Sequence, residues 1–328
     1  MDEETLRCWA AELGFAKMAL CSAADFARER RMVCEQPPLA ERRQLRFSPE
    51  EDDPRTASLA VLLWPYVAAA LPEGEALFVD SYYPASNAAY HAARKLEERL
   101  LAAGCFAKAN VSYPAKEAAV RAGLGIIGKN SLLITPEYGT RVVLILIATD
   151  IPASPAAMDR SNAGCYACGR CAAACPSGAI DENGMTHPER CLRNFMMEGN
   201  VTPEPLRSRE SMRLLGCDIC QRVCPMQPSS AQTMPIDIRL GELVTADGHT
   251  FSQTVARLGA LIGRNAVRPQ RVRAQAALLA GNKPDEAWLP VLREWAESPF
   301  EAVRTHALWA IERIEQEKAG LDQPGKTG

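Results

Sequence analysis

The chain has 328 residues, 47% of them apolar and 23% charged, with a formal net charge of -3 and an isoelectric point near 5.9. That length leaves room for two or three domains with a sizeable core, and the acidic balance gives no whole-chain reason to expect nucleic-acid binding. The longest apolar runs, such as Val142 to Ala148, are far too short to cross a membrane, and the acidic start Met1-Asp2-Glu3-Glu4 is unlike a basic signal peptide, so a cytoplasmic protein without a membrane partner is expected.

Residues 1-155 alternate short apolar runs with amphipathic patterns, which predicts an N-terminal α/β domain. Strands are expected at Phe15 to Leu20, Ala57 to Trp64, Ala76 to Tyr82 and Cys105 to Val111. The clearest helix is Asn87 to Ala103, with Ala93, Leu96, Leu100 and Leu101 as its apolar stripe and Gly104 as its stop. A second helix, Ala115 to Ala122, runs into Gly123-Leu124-Gly125-Ile126-Ile127-Gly128-Lys129-Asn130. Ser131 to Thr135 and Arg141 to Thr149 then read as a hairpin turned at Glu137-Tyr138-Gly139. The glycine run matches GxGxxG, yet a dinucleotide fingerprint follows a strand and opens a helix, whereas this one follows a helix and opens a strand. The glycines either let the backbone approach something flat or bulky or form a tight helix-to-strand connection.

Eight of the twelve cysteines lie in Cys165-x-x-Cys168-x-x-Cys171-x-x-x-Cys175-Pro176 and in Cys191 followed by Cys217-x-x-Cys220-x-x-x-Cys224-Pro225. The first run is the spacing of a two-cluster ferredoxin, in which three thiolates curl around one cubane and the fourth serves its neighbour. That crossed pattern assigns Cys165, Cys168, Cys171 and Cys224 to one [4Fe-4S] cluster and Cys175, Cys191, Cys217 and Cys220 to the other, in a ferredoxin-like domain over 156-235. Cys191 stands well upstream of Cys217, where a two-residue gap is usual, so Leu192 to Met197 must fold back to bring it in. Two zinc sites of four cysteines are the alternative that CxxC pairs permit. Cys8, Cys21, Cys34 and Cys105 have no framework spacing and read as ordinary thiols in a reducing compartment.

Residues 250-316 read as helical, and Val272-Arg273-Ala274-Gln275-Ala276 is echoed by Val303-Arg304-Thr305-His306-Ala307, as in HEAT-like repeats. A pair of repeats cannot stand alone and must pack on the rest of the chain. Residues 317-328 are expected to form a flexible tail. Phe251 to Pro284 holds Arg257, Arg264, Arg268, Arg271, Arg273 and Lys283 with no acidic residue, which suits either phosphate contacts or a solvated helical face.

The cysteine spacing, Ala89-Tyr90-His91-Ala92-Ala93-Arg94, Arg121-Ala122-Gly123 through Asn130, Gly216 through Pro225 and the HEAT-like end together resemble the epoxyqueuosine reductase family, over roughly residues 10-315. Reductive dehalogenases are similar in core chemistry. The resemblance implies an iron-sulfur and cobalamin-dependent oxidoreductase that reduces epoxyqueuosine in tRNA to queuosine. It implies cobalamin on the N-terminal domain beside two [4Fe-4S] clusters, with Tyr90, His91, Arg94, Gly123, Gly125, Gly128, Lys129, Asn130 and Ser131 as candidate cofactor contacts. It also makes Arg264, Arg268, Arg271 and Arg273 candidate tRNA contacts, and implies a low-potential electron donor such as ferredoxin or flavodoxin; a monomer is expected.

The chain departs from the family at one decisive place. The family's Asp-Thr-Ala/Gly-Pro stretch, whose aspartate is the expected proton donor, reads here Val111-Ser112-Tyr113-Pro114. Glu117 and Tyr113 are the substitutes the neighbourhood offers. The family's Gly-Arg-Asp-Tyr-His reads Ser86-Asn87-Ala88-Ala89-Tyr90-His91. Two departures on the substrate side suggest a paralogue acting on a different substrate, and a two-cluster electron carrier without catalysis of its own is the rival class.

Overall fold

The computed structural model describes residues 1-34, 46-153, 165-182, 186-228 and 232-321. The N-terminal part runs α1 (Glu3–Glu12), β1 (Lys17–Ser22), α2 (Ala27–Cys34), α3 (Pro49–Asp52), β2 (Ser58–Pro65), β3 (Phe78–Val79) and α4 (Tyr82–Ala102). It continues with β4 (Ala107–Ala109), α5 (Ala115–Arg121), β5 (Ile126–Ile127), β6 (Leu133–Ile134) and β7 (Val142–Thr149).

The main sheet has the order β1-β2-β7-β4, and every neighbouring pair is antiparallel. Its strands are apolar at nearly every position because both faces are covered. On one face Ala60, Leu62, Val143, Ile145 and Ile147 meet Leu6 and Ala10 of α1 and Ala89, Ala93, Leu96 and Leu100 of α4. On the other, Leu59, Val61, Leu63, Leu146 and Ala148 meet Phe26, Tyr113 and Ala118 and Ala119 of α5. The two sets alternate along each strand, as the pleat requires. Burying each such large side chain is worth about 1.5–3 kcal/mol.

Several sequence expectations shift. The strand expected at Ala76 to Tyr82 shrinks to Phe78–Val79, which leaves the main sheet and pairs in parallel with a strand in the second half of the chain. Tyr82 already belongs to α4, which starts five residues before the expected Asn87. Pro84 is tolerated there because the first-turn N–H it lacks has no helical partner. The expected hairpin is not formed: β6 pairs with β5, β7 pairs with β2 and β4, and only Thr135 and Gly139 bridge across the turn. β7 is claimed by two long apolar partners, which a two-residue strand cannot displace.

The cysteine-rich segment holds α6 (Arg170–Ala174), α7 (Leu192–Glu198), α8 (Glu204–Arg207), β8 (Arg213–Leu215) and α9 (Ile219–Arg222). β3 pairs with β8, Phe78 against Arg213 and Val79 against Leu215. The C-terminal part is helical: α10 (Leu240–Leu243), α11 (Gly248–Ile262), α12 (Pro269–Asn282), α13 (Leu289–Trp295) and α14 (Glu301–Leu321). Val272 and Ala276 on α12 and Val303 and Ala307 on α14 are all buried in one core with Leu77, Val79, Leu192, Met196 and Leu214. The helical end therefore packs on the cysteine segment and on the run into α4. Helix α14 extends through Leu321, so residues 317-321 of the expected tail are helical, while 322-328 lie outside the described residues. Residues 154-164, around the expected boundary at 155, also lie outside them.

A buried polar chain ties α12 and α14 to the cysteine segment. Thr202 N–H donates to His306 Nε2 at 3.0 Å, and His306 Nδ1–H donates to Ala274 O at 2.9 Å. The partners fix this neutral tautomer, since an amide N–H only donates and a carbonyl only accepts. Thr202 Oγ1 donates to Glu210 Oε1 at 3.0 Å, and Gln275 Nε2 donates to the other carboxylate oxygen. Burial pushes Glu210 up to about 7 and His306 down to about 4.

Candidate functional site

The site lies where β2 ends and β7 begins, against the cysteine segment. Gln221 of α9 joins the halves: its Oε1 accepts from Tyr66 OH at 3.2 Å and from Thr140 Oγ1 at 3.0 Å. Arg222 reaches back from the same helix to Ala69 O at 2.7 Å. Asp218, fully buried, pairs with Arg222 at 2.8 Å and with Arg141 at 3.5 Å. The turn from Cys217 to Cys224 is thus clamped onto the N-terminal domain on both sides of Cys220. Gly216, at φ +89, permits the approach: a Cβ there would lie 2.6 Å from Asp80 Cβ and 2.8 Å from the Tyr83 ring.

The eight motif thiols divide between two spaces. Cys165, Cys168, Cys171 and Cys224 line a small cavity with Lys129, Asn130 and Ile134. Cys175, Cys191, Cys217 and Cys220 line a second, far larger cavity of about 600 Å³. Burial pushes Cys217 up to about 11, and it pushes Cys220 up as well, with the charges of Cys217, Cys191 and Cys175 acting in the same direction. Such thiols surrender their protons to a metal rather than to water. Cys168 is exposed, so the first set stands nearer solvent. Cys21 is buried and pushed up to about 11 by desolvation, Cys105 is half-buried and Cys8 exposed, while the side chain of Cys34 lies outside the described residues.

The large cavity is walled on its other side by the N-terminal domain. Tyr66, Asp80, Tyr82, Lys116, Asn130 and Ser131 line it together with the four thiols. The β5–β6 hairpin presents its tip there: Ser131 N–H donates to Gly128 O at 2.9 Å, and Ser131 itself takes a positive φ of 56°. Asn130 is buried and borders both cavities, and its Nδ2 has no hydrogen-bond partner among the described residues.

The glycines have a structural role in the hairpin. At Gly125 a Cβ would sit 2.2 Å from Ile134 O, so this glycine lets β5 lie against β6. Gly123, at φ +71, follows the C-cap of α5, and a Cβ on Gly128 would meet Ile134 Cδ1 at 2.7 Å. Of the expected cofactor run, the tip residues Lys129, Asn130 and Ser131 reach the cavities. The glycines shape the hairpin behind them.

Tyr90, His91 and Arg94 are not brought to either cavity. They lie exposed on α4, Tyr90 edge-on to His91 at 5.4 Å and Arg94 paired with Glu97. On the same face Asn87 donates to Leu261 O at 3.2 Å, beside Arg264 at the end of α11. Arg264 and Arg268 are exposed and make no ion pair among the described residues. Arg257 is occupied by Glu242, Arg273 lies over the Phe251 ring at 4.6 Å, and Arg271 packs against Gly199.

The expected acid substitutes are also displaced. Val111 packs half-buried against the sheet, and Tyr113 is buried with its hydroxyl donating to Asp52 Oδ2 at 2.9 Å. Neither they nor Glu117 are among the residues bordering the large cavity. The carboxyl that does border it, Asp80, carried no motif signal in the sequence.

A family model described as a 4Fe-4S double cluster binding domain matches residues 164–227. An epoxyqueuosine reductase from Aliivibrio fischeri is 30% identical over 258 residues, 71% of this chain and 68% of that protein. The chain belongs to the epoxyqueuosine reductase family. Members from Lactococcus garvieae and Bacillus subtilis are 32% and 30% identical over 60% of this chain, which spans 57% and 52% of their lengths. A crystal structure of epoxyqueuosine reductase aligns with a TM-score of 0.80 at 23% identity, covering 99% of this chain and 95% of that one. Another, bound to an epoxyqueuosine-modified tRNA stem loop, aligns at 0.79. The fold is therefore that of epoxyqueuosine reductase, and no helix among the described residues is long and apolar enough to cross a membrane.

Proposed function

We propose that the chain is an iron-sulfur and cobalamin-dependent reductase acting on epoxyqueuosine in tRNA, with electrons entering from a low-potential donor such as ferredoxin or flavodoxin. The observation that carries this reading is the cavity of about 600 Å³ shared by four thiols of the cluster segment and by the N-terminal domain. A cluster on the four thiols would fill part of this space, and the rest is of the size that holds small molecules or cofactors.

In this reading Cys165, Cys168, Cys171 and Cys224 hold one [4Fe-4S] cluster and Cys175, Cys191, Cys217 and Cys220 the other. The set nearer solvent would receive electrons and the set on the cavity wall would deliver them. The donor sets suit the group: each cavity gathers four cysteine thiols, the ligand number of a [4Fe-4S] cluster.

The cavity also suits a corrinoid. Asn130 holds an unpartnered buried amide N–H there, and Ser131 and Lys116 add polar groups at the rim, matching the amide arms around a corrin ring. When bound, cobalamin supplies a cobalt centre that is a strong reductant in its low oxidation states. The chain's share would be to hold the group in the cavity that Asn130 and the four thiols line, exclude water and place the substrate.

For the substrate, the fold shared with the tRNA-bound relative and the exposed pair Arg264 and Arg268 support a tRNA partner. With Tyr90, His91 and Arg94 they form a basic and aromatic surface on α4 and the end of α11. Val111, in place of the expected acid, favours a second reading in which a paralogue with the same electron chemistry reduces another substrate.

The test is anaerobic reconstitution with iron and sulfide, titration with cobalamin while following the corrin absorption, then assay on epoxyqueuosine-containing tRNA. Stoichiometric spectral change with turnover is expected. Binding without turnover would shift the reading to the paralogue, and no corrin shift in a protein with its clusters intact would leave an electron carrier.

A further inference from the structure

The geometry points to Asp80 as the residue that delivers a proton to the substrate oxygen, in place of the acid absent at Val111. This rests on the reductase reading. Asp80 is the one carboxyl among the described residues bordering the large cavity. It is 3% exposed, sits at the turn into α4, and shares the cavity lining with Cys175, Cys191, Cys217 and Cys220.

Its position is built by both halves of the chain. Asp80 N–H donates to Leu215 O at 2.9 Å, its Oδ1 accepts from Tyr82 N–H at 3.0 Å, and Gly216 packs directly on its Cβ. The charged and titratable groups around it are Tyr66, Tyr82, Tyr83, Arg141, Arg193 and Asp218. Burial pushes the carboxyl up to about 6 and the Asp218 charge adds to this, against the Tyr82 N–H and the two guanidiniums. Asp80 keeps its proton into the range where a general acid works.

Reduction of an epoxide to an alkene takes two electrons and two protons. Both C–O bonds break, the carbons are left doubly bonded and the oxygen departs as water. The electrons come from the external low-potential donor through the clusters. Asp80 gives its proton to the oxygen as the first C–O bond opens, and solvent supplies the second proton and reloads the carboxylate. The ionised Asp80 left behind is stabilised by Arg141 and Arg193, the two cations that face it.

Two measurements on the cofactor-loaded full chain test the assignment. Infrared difference titration should show a carboxylic acid that ionises near pH 6 in the wild type and is lost in Asp80→Asn. Asn keeps the acceptor for Tyr82 N–H, so the fold and the corrin and cluster spectra should persist. Asp80→Asn should slow reduction of epoxyqueuosine tRNA by about 100-fold or more, with partial recovery in Asp80→Glu. A carboxyl already ionised at pH 5 overturns the proposal whatever the variants do. An Asp80→Asn protein within about twofold of an active wild type overturns it alone, while a loaded wild type without turnover overturns the reductase reading and the proposal with it.

Discussion

His306 should make the stability of the helical end depend on pH in a direction that can be isolated. Its ring is 1% exposed and must be neutral, because Nε2 accepts from Thr202 N–H while Nδ1–H donates to Ala274 O. Protonation would set a second N–H against the Thr202 donor inside a core. Burial accordingly pushes it from 6.5 down to about 4. With the folded value below the unfolded one, the unfolded chain binds more protons in that window, and stability falls as pH drops below 6.5. At pH 5 the loss spans about 1.5 pH units at 1.36 kcal/mol each, or about 2 kcal/mol.

Glu210, pushed up to about 7, acts in the opposite sense: the folded state holds its proton longer, so its stabilising share is lost as pH rises through 7. Wild-type stability alone therefore hides both effects. The difference between wild type and His306→Ala removes the Glu210 contribution. His306→Ala strands a buried N–H and a buried C=O and leaves a void, which costs about 4 kcal/mol at pH 8. That difference should shrink to about 2 kcal/mol at pH 5. Urea unfolding followed by tryptophan emission reads it, since Trp288, Trp295 and Trp309 sit in the helical end. A difference that is constant or larger at pH 5 would refute the neutral tautomer and the network drawn from it.

The crossed thiol assignment predicts that Cys224→Ala abolishes the same cluster signal as Cys168→Ala, and that Cys175→Ala matches Cys191→Ala, each leaving about half of the iron; paramagnetic resonance of the four reduced proteins checks this, and loss of the Cys168 cluster in Cys175→Ala would establish sequential pairing instead. Replacing Arg264 and Arg268 together by Glu should weaken binding of a tRNA stem loop across sequences and lower the slope of log affinity against log salt by about 2; an unchanged slope would remove the strip from the interface.

The cysteine segment was legible because its chemistry is written in local spacing, and the apolar strands of the main sheet because two covered faces leave no polar positions. What failed depended on partners far away in sequence. Ala76 to Tyr82 has strand-like residues, yet Val79 finds Leu215 and Tyr82 turns into a helix that Pro84 can enter only within its first turn. Gly125 and Gly128 invited a ligand, but the closest neighbour of each is Ile134, a residue whose approach no local pattern announces. Tyr90, His91 and Arg94 carried a family signal and lie on the outside of α4. Asp80 carried none, because a single acid inside an expected strand has no motif around it until the fold brings Cys191, Cys217 and Cys220 to the same cavity.

The pairing of Phe78 and Val79 with Arg213 to Leu215 also sets an order of assembly during synthesis. The segment that places Asp80 emerges from the ribosome on the order of ten seconds before the strand that secures it. Until then the cavity has only one wall, and its N-terminal side chains stand open to solvent. The early half of the chain therefore becomes a binding site only when the late half, which also buries Leu77 and Val79, has been made.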